Sequence, residues 1–221
     1  MMHRMRLVPI IGAAAAFVLL LTGCGQARHA NSAVTGEEPN ERVMRWDKMP
    51  DMTIDLNKTY KARFQTNKGE FTVKLFAEEA PTTVNNFVFL AREGFYDGLP
   101  FFRIIESYMI QTGDPDGTGT GGPGYTIPDE LDTGFRYEPG IVAMANTGKP
   151  NTGGSQFFIG TGPDMENLNQ MPNYTIFGKV ESGMETVLEL ARTPVGWSDV
   201  YQAQTEPLEE AKIEKVTIIE E

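Results

Sequence analysis

Histidine, cysteine and basic charge are all scarce in this chain. Of its 221 residues only two are histidine (His3 and His29) and one is cysteine (Cys24), all near the N-terminus. The body of the chain therefore has neither imidazole nor thiol. Ser-His-Asp hydrolysis, Cys-His catalysis, His-ligated zinc and a disulfide framework are excluded there. Lys and Arg number 19 against 30 Asp and Glu, a net charge of −11. With no basic surplus or patch, no nucleic-acid partner is expected. What is present, 40% hydrophobic and 22% charged residues, describes a globular protein of one domain or a little more.

His3, Arg4 and Arg6 precede an apolar run from Leu7 to Leu21. A short basic region followed by about 15 apolar residues reads as a secretory signal, slightly short for a spanning helix. The run ends Leu21-Thr22-Gly23-Cys24, which resembles the bacterial lipobox, with cleavage between Gly23 and Cys24. That resemblance implies a diacylglyceryl group on Cys24. Two acyl chains suffice for stable anchoring, since burial contributes about 0.8 kcal/mol per CH₂. The expected organisation is a signal peptide at 1–23, a lipidated cysteine with a tether at 24–57, and a folded domain at 58–221. The expected location is the extracytoplasmic face of the cell membrane. Loss of Arg4 and Arg6 with the leader takes the net charge from −11 to −13. Anionic headgroups repel such a surface, so lipid must hold it. From Gly25 onward the tether is polar and aperiodic. Met44, Trp46, Met49 and Met52 could instead pack along the domain as an arm.

The body carries eight strand-like runs, at 59–66, 70–76, 101–105, 108–112, 141–145, 156–160, 175–179 and 213–219. In the second, Phe71, Val73 and Leu75 alternate with Thr72 and Lys74, and Asn67-Lys68-Gly69 supplies a hairpin turn before it. Pro81 opens a helix with Val84, Phe87, Val88 and Ala91 on one face, and Gly94 ends it. A second helix is expected from a capping box of Ser182 and Glu185, with Met184, Val187, Leu188 and Ala191 inward and Pro194 as its stop. Eight strands and two helices that do not alternate predict a mainly β fold. The expected form is an eight-stranded antiparallel sheet closed into a barrel and capped by the two α-helices. The glycine-rich stretch 113–124 is a surface loop. No helix follows it to cradle a phosphate, and Tyr125 stands where a calcium loop needs Glu.

Polar residues interrupt several apolar strands. Arg103 lies among Phe101, Phe102, Ile104 and Ile105, and an arginine is rarely buried alone. It either alternates outward, ties a carboxylate such as Asp114 or Glu130, or serves a site. Gln111 between Ile110 and Thr112 could satisfy neighbouring backbone, and Asn146 before Thr147-Gly148 has the character of a turn residue. Phe158 and Met109 would ordinarily be core.

Taken together, Phe101-Phe102-Arg103-Ile104-Ile105, Tyr108-Met109-Ile110-Gln111-Thr112-Gly113-Asp114, Met144-Ala145-Asn146 and Gly154-Ser155-Gln156-Phe157-Phe158-Ile159 resemble the cyclophilin family of peptidyl-prolyl isomerases. Ala80-Pro81-Thr82-Thr83-Val84-Asn85-Asn86-Phe87 and Phe177-Gly178-Lys179-Val180 agree, so the resemblance spans about Thr59 to Ile219. It implies a cyclophilin-like barrel in which Arg103 and Gln111 are catalytic. It also implies a groove for proline-containing polypeptide clients, lined by Phe102, Tyr108, Met109, Ala145, Asn146, Gln156, Phe158, Leu168, Met171 and Tyr174. No cofactor and no metal are implied. The expected molecule is a monomer that assists the folding of secreted or envelope proteins.

The family pattern is broken between Gly162 and Tyr174, where many members carry a tryptophan-leucine pair and then a histidine. Here no tryptophan occurs, Tyr174 takes the place of the histidine, and Tyr108 stands where phenylalanine is usual. Two other readings stay open at this level. One is a proline-peptide binding module or chaperone with little turnover. The other is a carboxylate hydrolase built on a pair such as Asp114 and Asp129.

Overall fold

The computed structural model describes residues 44–221; the expected signal peptide, Cys24 and the first part of the expected tether lie outside the described residues. Ten strands occur among these: β1 (Tyr60–Thr66), β2 (Gly69–Leu75), β3 (Arg103–Ile105), β4 (Met109–Thr112), β5 (Ile141–Met144), β6 (Phe157–Gly160), β7 (Ile176–Ser182), β8 (Val195–Ser198), β9 (Ala203–Pro207) and β10 (Ile213–Glu220). Eight of them form one antiparallel sheet in the order β10-β1-β2-β7-β5-β6-β4-β3, and β8 and β9 form a separate hairpin.

The sheet curls but does not close into the expected barrel. β10 and β3 are its edges. Across the gap runs one isolated bridge, Pro100 to Lys212, with Phe101 N–H donating to the Ala211 carbonyl and Ile213 N–H to that of Leu99. The cause is local. Pro100 has no N–H for a ladder, and the strand expected from Phe101 begins only at Arg103, so β3 is three residues long.

One face of the sheet buries the larger apolar cluster against two helices, α1 (Pro81–Arg92) and α2 (Met184–Ala191). Phe64, Phe87, Tyr96, Phe157 and Phe177 sit at its centre, with Phe87 and Phe157 edge to face at 5.6 Å. The polar residues of α1 tie it to its surroundings. Asn86, buried, donates to the Gly154 carbonyl at 2.7 Å and accepts from the Tyr125 hydroxyl at 2.7 Å. Asn85 accepts from Thr53 N–H at 2.8 Å and donates to the Asp51 carbonyl at 3.0 Å.

That last pair fixes the segment before β1. Ile54 is buried, Trp46 packs edge to face on Phe89 at 5.3 Å, and Trp46 N–H donates to the Pro123 carbonyl. Residues 44–54 thus lie along the domain as an arm, with Met49 and Met52 left exposed.

One local expectation is corrected. The second helix has no capping box: its N-cap is Gly183 in the left-handed region (φ 77°), and no side chain caps it. β7 extends through Ser182, so the residue expected as cap belongs to the strand instead. The stretch 163–173 contains a 3₁₀ helix, Pro163–Gln170.

α1 also lacks a cap of its own, because its N-cap residue is Ala80. Glu130, from a distant loop, takes over: its carboxylate accepts from Thr82 N–H at 2.9 Å, Thr83 N–H at 2.8 Å and the Thr83 hydroxyl at 2.7 Å. A carboxylate at a helix N-terminus satisfies donors and opposes the dipole. Glu130→Ala is expected to destabilise the fold by about 1–2 kcal/mol, the usual cost of a lost N-cap. Urea unfolding checks this, and an unchanged midpoint would remove Glu130 from that role.

Candidate active site

In an antiparallel sheet, directly opposed residues share a face. The register pairs Arg103 with Gln111, Gln111 with Phe158, and Phe158 with Ala143, making one row across β3, β4, β6 and β5. The neighbouring row, Ile104, Ile110, Ile159 and Val142, faces the larger core. Two residues along from the first row, Ile105, Met109 and Gly160 share its face. The polar interruptions in these strands are therefore the side of the sheet turned away from the main core. A second apolar cluster, including Met109, Phe158, Ala143 and Ile141, covers that side in part.

The uncovered part is a cavity of about 660 Å³. Arg103, Tyr108, Met109, Gln111, Ala145, Asn146, Gln156, Phe158 and Tyr174 all line it. Three residues expected there do not. Phe102 alternates away from Arg103 and is buried beside Gly119. Leu168, in the 3₁₀ helix, packs against the second cluster, and Met171 is 74% exposed beyond the end of that helix.

Amide side chains form a chain along the cavity. Arg103 Nη1 donates to Gln111 Oε1 at 3.3 Å, Gln111 Nε2 to Gln156 Oε1 at 3.0 Å, and Gln156 Nε2 to the Gly121 carbonyl at 2.9 Å. The glycine-rich loop that supplies this last acceptor is organised by Asp114, which is fully buried. Its carboxylate accepts from the N–H groups of Asp116, Thr118, Gly119 and Gly121 at 2.8, 3.0, 2.5 and 3.1 Å. Arg103 consequently ties neither carboxylate expected for it: Asp114 holds the loop and Glu130 caps α1. Asp129 exchanges hydrogen bonds with Asn151, accepting from its N–H at 2.8 Å. Asp114 and Asp129 are thus each committed to backbone donors, which argues against these two as a hydrolytic pair.

The wall near Tyr174 depends on residues that the strand and helix patterns do not reveal. The Tyr137 hydroxyl donates to the Tyr174 carbonyl at 2.6 Å and accepts from Tyr174 N–H at 3.0 Å. Asn169 pins Tyr137 in turn, accepting from its N–H at 2.9 Å and donating to its carbonyl at 2.8 Å. Tyr174 meets Phe158 edge to face at 5.2 Å. The Asn146 amide is engaged in the wall itself, donating to the Asn173 carbonyl at 2.8 Å and accepting from Gly148 N–H at 2.9 Å. At the opposite end two unforeseen residues, Arg45 and Tyr201, join the lining. Burial raises the phenols of Tyr108, Tyr137 and Tyr201 above their usual value, so all three are neutral in ordinary buffers.

The geometry can hold an apolar ring against Met109 and Phe158 while Arg103 donates from one side. Comparisons with known proteins show the family. The family model for cyclophilin type peptidyl-prolyl cis-trans isomerase/CLD matches residues 61–218. Peptidyl-prolyl cis-trans isomerase-like 1 of Aspergillus fumigatus is 41% identical over 162 residues, covering 72% of this chain and 94% of that protein. Peptidyl-prolyl cis-trans isomerase B of Bacillus subtilis is 53% identical over 120 residues, covering 54% of this chain and 80% of its own. The crystal structure of a Cryptosporidium parvum cyclophilin type peptidyl-prolyl cis-trans isomerase matches with a TM-score of 0.65 at 35% identity, over 73% of this chain and 98% of that one. A second structure of that protein, determined in the presence of the dipeptide Ala-Pro, matches with a TM-score of 0.64 at 35% identity, over 72% and 98%. With a cavity of this form and a family match over most of its length, the chain belongs to the cyclophilin family of peptidyl-prolyl cis-trans isomerases.

Proposed function

We propose that this isomerase is a lipoprotein that works at the extracytoplasmic face of the cell membrane on proline-containing segments of secreted or envelope proteins. The leader, the lipobox and the single cysteine placed at its end support the location. Uncatalysed X–Pro isomerisation takes about 10–100 s, slow enough to limit folding outside the membrane.

Rotation about an X–Pro bond meets a barrier of about 18–20 kcal/mol because the amide loses resonance. No covalent bond breaks, so neither imidazole nor thiol is required. The catalyst needs only to bind the twisted amide better than either planar form. Met109 and Phe158, both buried on the cavity floor, hold the pyrrolidine ring, with Tyr174 and Tyr108 at its sides. Ala145 and Asn146 offer backbone groups to the extended peptide. Arg103 donates toward the proline nitrogen, which becomes pyramidal and basic as conjugation is lost, and Gln111 accepts one long hydrogen bond from the guanidinium at 3.3 Å. This is electrostatic stabilisation by a prepositioned donor.

The observation that carries this reading is the single row of Arg103, Gln111 and Phe158, which sets a cation beside an apolar floor. For Arg103→Ala, a fall of about 10²–10³ in kcat/KM is expected, by analogy with loss of one oxyanion donor. A peptide isomerisation assay checks it; full turnover in a folded variant would favour a different mechanism. For the location, Cys24→Ala should block lipid addition and lipobox processing, which metabolic labelling with a fatty acid and the size of the protein on a gel would read. A wild type found wholly soluble after secretion would overturn the anchoring.

A further inference from the structure

The hairpin β8–β9 lies beside β3, the edge strand that carries Arg103. Its base is closed by Leu208 N–H donating to the Pro194 carbonyl, and its four-residue loop, 199–202, is ordered from within. Trp197 Nε1 donates to Asp199 Oδ1 at 3.1 Å, and Gln202 Nε2 to the Asp199 carbonyl at 2.7 Å. From this loop Tyr201 reaches the cavity. Its ring centroid lies 4.5 Å from Arg103 Cζ, so the guanidinium stacks over the aromatic face.

The polar tethers on Arg103 are few. Its hydrogen bond to Gln111 is long, at 3.3 Å, and Nε is buried with no partner among the described residues. No carboxylate pairs with it there. A side chain with this much rotamer freedom makes a poor prepositioned donor unless something else restrains it. An aromatic face suits that task. It attracts the cation through the ring quadrupole, consumes no N–H group and leaves the charge unneutralised. A carboxylate would restrain the guanidinium but occupy the donors that the substrate needs.

The glycine loop makes room for this ring. A Cβ at Gly119, which has φ +87°, would lie 2.3 Å from the Tyr201 hydroxyl oxygen. Only glycine lets the loop and the ring approach so closely, and Gly119 N–H is held by Asp114 from behind. Arg103 is thereby enclosed between Gln111 and Tyr201, with the loop closing the space beyond the ring.

We propose that Tyr201 is a positioning residue for Arg103, its ring holding the guanidinium in the donor geometry that isomerisation needs. The inference rests on the role given to Arg103 above. In the full-length protein, purified in detergent, Tyr201→Leu should lower kcat/KM on an X–Pro peptide about tenfold, mostly in kcat. Tyr201→Phe, which keeps the ring face, should restore most of the loss. In an Arg103→Ala background, Tyr201→Leu should cause no further fall, because the two residues act as one unit. Wild-type turnover in Tyr201→Leu, or losses that multiply in the double variant, would overturn the inference. A harmless Arg103→Ala would instead fail the mechanism itself. Should Tyr201→Leu not fold, the wild type still decides the matter by NMR. The Arg103 ε-proton should be shifted upfield by the ring current, and an unshifted resonance would contradict the stacking.

Discussion

The site depends on strand register. Opposed residues of β3, β4, β6 and β5 alternate between two rows, one facing the main core and the other facing the cavity. A slip of one residue would send Arg103 and Gln111 into the aromatic core and turn Ile104 and Ile110 toward water. The register is therefore enforced by the apolar row, which buries Ile104, Ile110, Ile159 and Val142 almost completely. Burial of the unreactive row fixes the position of the reactive one. Fold stability and catalytic geometry are in this sense set by the same pairing.

Register alone places Cα atoms; the side chains need further restraint. Around the cavity this comes from loops whose backbone groups are held by a few buried polar side chains. Asp114 gathers four N–H groups and so presents Gly121 to Gln156 and Gly119 to Tyr201. Tyr137 and Asn169 do the same for the wall at Tyr174. Asp114 and Tyr137 are buried groups whose bonding is met by backbone, the arrangement in which burial costs least. The apolar floor then needs no polar partner of its own.

Most of the large features were legible in the sequence, because they rest on periodicity. The alternation in β2, the apolar face of α1 and the two-residue turn between β1 and β2 all follow from local patterns. Arg103 and Gln111 were legible as anomalies, Phe158 only through the family resemblance, and nine of the residues expected at the site line one cavity. Features that depend on distant partners were not. The open edge of the sheet turns on a proline just before β3. The cap of α1 comes from Glu130, 47 residues or more away in sequence. The hairpin with Tyr201 is short, and its outward residues Trp197 and Val200 are exposed, so it lacks an apolar stripe to betray it. Leu168 and Met171 were misplaced where the family pattern itself is broken: Leu168 lies in a 3₁₀ helix and packs on the second cluster, and Met171 follows the end of that helix, exposed.

The account's central claim is that isomerisation takes place on the face defined by Arg103, Met109 and Phe158. Exchange NMR of an isotope-labelled X–Pro peptide with the protein, read together with the protein's own resonances, tests it most directly. The account predicts accelerated exchange between the cis and trans peptide signals, accompanied by shifts confined to the cavity, with the Met109 methyl, the Phe158 ring and the Arg103 ε-proton moved most. Accelerated exchange with those three resonances unmoved, or with shifts centred on another face, would contradict it.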